Sequence, residues 1–297
     1  MSVPLLLLLL LQSSQPLSSF VPRITSTSPT FQISPRHTLF GLSAATSPSS
    51  SSLSSSLPEL DLNLAIMKDL KTNDYAIVDD FLSPTQIDAV IEDIASLRSD
   101  NRFSVAGIGQ DKSNTVNSEI RKTETMFIYP KLQFPTNALS FLYPTLDRMA
   151  LTLGSRFQVK MDLALTEALY AYYPNGGFYK KHIDAVPSSA SVLREFSFLI
   201  YLNKEWSKSD GGCLRLYIDD ENHLDVEPTA GKLVIFKSDT LPHEVLETSA
   251  ERLAVVGWFN REVTPGDISA LGGGDLITKL PLLLASAVLI GVGVSML

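Results

Sequence analysis

Between Ala168 and Phe259 the apolar residues come in short runs: Ala168–Tyr173, Phe196–Leu202, Leu214–Ile218, Leu233–Phe236 and Leu253–Phe259. Each is followed within a few residues by Gly, Asn, Asp, Ser or Pro. Runs of this length, bounded by turn-forming residues and rich in aromatic and branched side chains, read as strands. Several such strands at close spacing imply an all-β core, a barrel or a jelly roll. Helices are expected to flank it. Leu62, Ile66 and Leu70 have helical spacing from Asp61 onward. Ser83-Pro84 opens a second helix, with Ser83 as N-cap, Pro84 at the first helical position and Ile87, Val90, Ile91 and Ile94 as its apolar stripe. The chain shows no internal repeat.

This body, residues 59–265, lies between two segments of different character. Residues 1–58 contain no Asp, Glu or Lys, begin with the apolar run Leu5–Leu11 and end in a Ser-rich stretch from Ser47 to Pro58. Such a segment cannot bury a core and reads as a targeting leader. A signal-like run followed by a Ser-rich, acid-free stretch looks bipartite, so a plastid is expected, with the secretory route and the mitochondrion as alternatives. After a linker at 266–275, residues 276–297 are expected to form a C-terminal hydrophobic helix that anchors the protein in a membrane. Leu280 to Leu297 is free of charge, and as a helix would rise about 27 Å, close to a bilayer core. A helix packed on the protein's own core and a lipid-anchor signal are the other readings of that run.

Charge and cysteine content narrow the partners. The net charge is −8 and every acidic residue follows Pro58, which argues against nucleic acid as the main partner. A single cysteine, Cys213, excludes an internal disulfide and a multi-cysteine zinc site. With no His paired to it by motif, Cys213 reads as a small core residue. His223, in a polar turn, reads as solvated, and His37 lies in the leader.

The remaining chemistry concentrates in two places. His182-Ile183-Asp184 sets an imidazole and a carboxylate two residues apart, so that on a strand both point to one face. His243 follows the buried run Gly231–Phe236 and a turn at 238–242. Two histidines and one carboxylate are the donor set of an iron(II) facial triad, which leaves coordination positions open. Nine residues later Arg252 begins a strand whose alternation places Arg252, Ala254, Val256 and Trp258 on one face and Leu253 and Val255 on the other. A turn at 248–250 is expected to set His243 and Arg252 on adjacent antiparallel strands. A guanidinium on an inner face calls for a carboxylate, and a bound dicarboxylate supplies one in bidentate geometry.

Residues from about Lys122 to Phe259 resemble the prolyl 4-hydroxylase type of iron(II)- and 2-oxoglutarate-dependent dioxygenases, most closely the oxygen-sensing prolyl hydroxylase branch. The resemblance is carried by Tyr172–Gly177 leading to His182 and Asp184, by Ile200–Trp206, by Gly211–Tyr217, and by His243-Glu244-Val245 followed by Arg252. It implies a double-stranded β-helix with helices on its larger sheet. It implies that His182, Asp184 and His243 bind iron(II), and that Arg252 pairs with the distal carboxylate of 2-oxoglutarate. Tyr201, which shares a strand face with Ser197 and Leu199, would bond the same end. Tyr173 would line the pocket near the metal, with Trp258 and Arg121 on the substrate side. The implied reaction consumes O2 and 2-oxoglutarate with L-ascorbate as a helper, releases succinate and CO2, and hydroxylates a prolyl residue of a protein or peptide. Related halogenases leave the carboxylate position free for halide, so Asp184 favours hydroxylation. Val256 stands where the most similar relatives carry a threonine.

The stretch from Ala106 to Glu119, rich in Gly, Asn, Ser and Asp, is expected to be a lid over the substrate. Three other readings remain: the same chemistry on a non-prolyl or small-molecule substrate, a catalytically silent jelly-roll binding module, and a zinc hydrolase with the same ligands. The arginine and tyrosine speak against the last two.

Overall fold

The computed structural model describes residues 64–107, 116–133, 135–187 and 189–270; all fall in one compact unit, Ser56–Leu297. The expected leader and anchor lie outside the described residues, as do residues 108–115 of the expected lid. Among the described residues no helix is long and apolar enough to cross a membrane.

The elements run in the order α1 (Leu64–Asn73), β1 (Tyr75–Val78), α2 (Pro84–Ser99), β2 (Ser104–Val105), β3 (Arg121–Lys122), β4 (Glu124–Phe127), α3 (Asn137–Phe157), β5 (Glu167–Tyr173), β6 (Gly177–His182), β7 (Arg194–Tyr201), β8 (Leu214–Tyr217), β9 (His223–Val226), β10 (Leu233–Lys237), β11 (His243–Thr248), β12 (Arg252–Asn260) and α4 (Pro265–Ala270). They build two antiparallel sheets, a jelly roll. The larger has the order β1-β10-β7-β12-β5-β4-β2 and the smaller β3-β6-β11-β8-β9.

Two apolar layers hold the fold together. On the outer face of the large sheet, Phe196, Phe198, Ile200, Val255 and Phe259 meet Leu70 of α1, Val90 and Ile94 of α2, and Leu139, Leu142, Leu146 and Leu153 of α3. Between the sheets, Leu199, Tyr201, Ala254 and Trp258 face Leu214, Leu216 and Val245. The large sheet is therefore apolar on both faces, so its strands read as unbroken runs. Each fully buried side chain of this kind contributes about 1.5–3 kcal/mol, and Phe198→Ala would cost about 3–5 kcal/mol. Gly257 has no room for a side chain, since a Cβ there would lie 2.4 Å from the Phe198 ring and from the Glu167 carbonyl.

Helix α2 starts as its sequence predicts, with a capping box: Gln86 N–H donates to Ser83 Oγ at 3.4 Å and Ser83 N–H to Gln86 Oε1 at 2.9 Å. Its buried Asp93 accepts from Tyr170 Oη at 2.7 Å and Thr136 Oγ1 at 2.9 Å, tying α2 to β5 and to the cap of α3. The 21-residue α3 is the largest departure from the sequence reading. Its buried Leu139, Leu142, Leu146, Met149 and Leu153 have helical spacing, but Pro144 interrupts it. That proline is tolerated because it lies on the exposed side, where the lost N–H costs no packing. The folded body also continues into the expected linker: Arg261 clasps Asp267 of α4 through two bonds of 2.7 and 2.8 Å.

Two expectations about strands are corrected. His243 and Arg252 are not on adjacent paired strands, because β11 pairs with β6 and β8 in the small sheet whereas β12 pairs with β5 and β7 in the large one. The turn between them crosses from one sheet to the other, so the two side chains approach the interior from opposite walls. Asp184 is not on a strand either; β6 ends at His182 and Asp184 lies in the bend that follows.

Candidate metal and cosubstrate site

Strand β6 is in register with β11 at His243↔His182 and Val245↔Tyr179, so three steps on β6 match two on β11. This bulge at Lys180-Lys181 breaks the strict alternation of faces. Tyr179 and His182, three apart, consequently stack with ring centroids 3.7 Å apart. The bend after His182 is fixed by Ala185 N–H, which donates to the Ser238 carbonyl at 2.9 Å. It brings Asp184 between the histidines: Oδ1 lies 3.6 Å from His182 Nε2 and Oδ2 lies 3.4 Å from His243 Nε2. The three ligand atoms fall within 4.8 Å of one another.

Hydrogen bonding prepares these groups for a cation. Nδ1 of His182 donates to the Lys180 carbonyl at 2.7 Å, and Nδ1 of His243 to the Leu241 carbonyl at 3.0 Å. A carbonyl can only accept, so both Nε2 atoms keep their lone pairs for the centre. Burial pushes the His243 imidazole down to about 4, which keeps it neutral at pH 7. Burial opposes ionisation of Asp184, but His243, His182 and Arg194 outweigh it and hold the carboxyl well below the usual carboxylate range. Ser197 Oγ donates to Asp184 Oδ2 at 2.7 Å and lies 2.8 Å from Ser238 Oγ. Arg194 Nη1 donates to the Asp184 carbonyl at 3.3 Å, while its fork grips Glu167 at 2.9 and 2.7 Å.

A cavity of about 420 Å³ opens over the three residues; Tyr173, Leu199, Val245, Val256 and Trp258 line it. Along the inner face of β12, Trp258 and Val256 border this cavity, followed by Ala254 and then Arg252. Arg252 does not line the cavity. It is fully buried, 4.8 Å from the Tyr173 ring and 5.0 Å from the Tyr201 ring. Its Nε donates to the Gly212 carbonyl at 2.9 Å, whereas among the described residues Nη1 and Nη2 make no well-formed hydrogen bond, nor does Tyr201 Oη, which lies close enough to feel the Arg252 charge. Burial raises the Tyr201 phenol above its ordinary range, so it stays a donor. Unpartnered buried donors cost about 1–3 kcal/mol each, more when charged. Three of them in one place are satisfied together by a carboxylate, which is the fit expected for one end of a dicarboxylate.

The remaining sequence-derived candidates also border the cavity. Trp258 stacks under Arg194 at 3.8 Å, and its buried indole N–H has no partner among the described residues. Arg121 lies 4.5 Å over the Tyr179 ring. Tyr179, Ser197 and Arg194 support the site but escaped the sequence reading. For Ser197 the signal was available: it is a small hydroxyl within the apolar run Phe196–Tyr201, on the face it shares with Leu199 and Tyr201. Cys213 sits just before β8, partly buried, and burial raises its thiol. His223 is exposed as expected, though it begins β9.

Fold and donor set together define the class. Residues 168–260 match the 2OG-Fe(II) oxygenase superfamily; the chain carries such a domain and is an iron(II)- and 2-oxoglutarate-dependent dioxygenase with a His-Asp-His site that fits iron. It is homologous to prolyl hydroxylase EGLN3 of Homo sapiens, 29% identical over 189 residues covering 62% of this chain and 77% of that protein. Among solved structures it is similar to a Pseudomonas putida prolyl-4-hydroxylase, with 29% identity and a TM-score of 0.59 over 67% of this chain and 98% of that one. It is also similar to a Trichoplax adhaerens prolyl hydroxylase in complex with a hypoxia inducible factor peptide. There the identity is 25% and the TM-score 0.60, over 70% of this chain and 90% of that one.

Proposed function

We propose that this dioxygenase hydroxylates prolyl residues of a protein or peptide, with His182, Asp184 and His243 holding iron(II) and L-ascorbate keeping it reduced. The observation that carries the cosubstrate reading is the fully buried Arg252 guanidinium, whose two Nη atoms make no hydrogen bond among the described residues. Arg252 and Tyr201 bind the distal carboxylate of 2-oxoglutarate, and Tyr173 closes the side of that pocket. Bound iron and 2-oxoglutarate supply oxygen activation, releasing succinate and CO2 as the substrate is hydroxylated. The chain's own work is placement. Ser197 fixes one oxygen of Asp184, Arg194 fixes the backbone of the bend, and the apolar wall of Leu199, Val245 and Val256 excludes water. Trp258 lines the cavity with a buried indole N–H that lacks a partner among the described residues, and a peptide carbonyl would satisfy it. The prolyl substrate is supported by the named activity of the relatives.

The test is mass spectrometry of proline-containing peptides incubated with the full-length protein, iron(II), 2-oxoglutarate, ascorbate and O2. A gain of one oxygen on proline, lost in Arg252→Ala, is expected. Oxygen gained on another residue, or succinate formed only with a small-molecule substrate, overturns the prolyl assignment.

For location, we infer a targeting leader at 1–58, directing the protein to a plastid rather than the secretory route or mitochondrion, and a membrane anchor at 276–297. Their composition supports both. Import of a tagged protein into isolated plastids and carbonate extraction with and without 276–297 test them; full solubility of the intact protein defeats the anchor.

A further inference from the structure

We propose that Arg121 is a specificity-determining residue that selects an acidic side chain on the peptide, two or three residues from the one oxidised. The proposal deepens the dioxygenase reading and rests on it. Among the described residues, five charged ones other than the histidines line the cavity: Arg102, Arg121, Glu167, Asp184 and Arg194. Asp184 belongs to the donor set, and Glu167 and Arg194 are paired through both arms of the fork. Arg102 and Arg121 remain. Among the described residues neither has a carboxylate within 4.0 Å. Of the nearby acids, Glu124 is taken by Arg98 at 3.3 Å and Glu119 is exposed. Two cavity-lining arginines without a carboxylate among the described residues are unexpected on a chain of net charge −8, and they point to a negatively charged ligand.

Position separates Arg121 from Arg102. Arg102 is exposed, whereas Arg121 is partly buried on β3, the edge strand of the small sheet, opposite Tyr179. Its Nη1 reaches the Gly107 carbonyl at 3.4 Å, its buried Nε has no partner among the described residues, and its guanidinium lies 4.5 Å over the Tyr179 ring. That ring stacks in turn on His182 at 3.7 Å. Arg121 is thus separated from a metal-site residue by one stacked ring, and it lines the cavity with donors to spare. An extended peptide advances about 3.3 Å per residue, which sets the offset of the acid from the target. The carboxylate gains a charge-assisted bond at a half-screened site, about a tenfold effect on binding.

The test uses the full-length protein and a fluorescein-labelled proline peptide carrying one Asp, Ala or Lys at each of four positions on either side of the proline. Anisotropy reads binding and succinate release reads turnover. The expected result is a position where Asp binds about tenfold more tightly than Ala and Lys more weakly, with kcat little changed. Arg121→Glu should reverse that order and Arg121→Gln should abolish it, whereas Arg121→Lys should keep its sign. Equal binding of the three peptides at every position, or an Asp preference that survives in Arg121→Glu and Arg121→Gln, overturns the proposal. Peptides that bind without any release of succinate overturn the dioxygenase reading, and this proposal with it.

Discussion

Replacing Arg252 by Met removes a buried guanidinium while filling most of its volume, and the structure predicts opposite effects on cosubstrate binding and on the free protein. A bound carboxylate would take up Nη1 and Nη2, two charge-assisted bonds of about 1.5–3 kcal/mol each. Their loss raises the Kd for 2-oxoglutarate by at least about a hundredfold. In the free protein the same two nitrogens have no hydrogen-bond partner among the described residues, and Met leaves the Gly212 carbonyl without its Arg252 donor. The variant should therefore melt close to the wild type when 2-oxoglutarate is absent. With manganese in place of iron and 2-oxoglutarate at about a hundred times its wild-type Kd, the wild type gains about 2.7 kcal/mol. That is roughly 5–10 °C for a domain of this size. Arg252→Met should show almost none of this shift. A Met variant that binds 2-oxoglutarate within threefold of wild type and keeps the shift would refute the reasoning, because the guanidinium would then have no carboxylate to bind.

Ser197→Ala frees Asp184 Oδ2 from its 2.7 Å bond and should weaken iron(II) affinity about tenfold or more by equilibrium dialysis, with Ser197→Thr restoring most of it; unchanged affinity in the Ala variant would dismiss the positioning role. The metal-free protein should lose stability as pH falls below 6.5. His243 in the fold has its pKa lowered from 6.5 to about 4 by burial, so the unfolded chain takes up a proton that the folded one refuses. The contribution is fully present above 6.5 and lost on the way down to about 4. Melting temperatures across that window should fall more steeply for wild type than for His243→Gln, and equal slopes would count against it. Pro144→Ala should raise the melting temperature, because an exposed proline inside α3 costs a helix about 3 kcal/mol relative to Ala; a lower melting temperature would mean that the proline shapes α3 in a way its packing needs.

The strands of the large sheet were legible because the helices cover one face and the second sheet the other, which makes their sequence continuously apolar. Within β12 the alternation could still be read, since Arg252 breaks the pattern on one face only, and this correctly separated Ala254 and Trp258 from Leu253 and Val255. Helix α3 was not legible, because its one proline outweighed five correctly spaced apolar residues. The small sheet has an exposed face and shorter strands, so its pattern is weak. The bulge at Lys180-Lys181, which aligns Tyr179 with His182, leaves no mark in residue type. Nor could spacing reveal that the turn after Thr248 changes sheets, since a tight hairpin and a crossover of that length look alike. The supporting bonds of Ser197 and Arg194 depend on how the bend after β6 meets β7, a tertiary fact.

Oxygenase chemistry at this site is tested most directly by running the reaction of the full-length protein under 18O2 and weighing the succinate. One 18O atom per succinate is predicted, at a rate that falls to background in His182→Ala and Asp184→Asn and recovers in neither with added iron. Succinate formed without 18O, or formed equally well by the two variants, would contradict the assignment of the reaction to His182, Asp184 and His243.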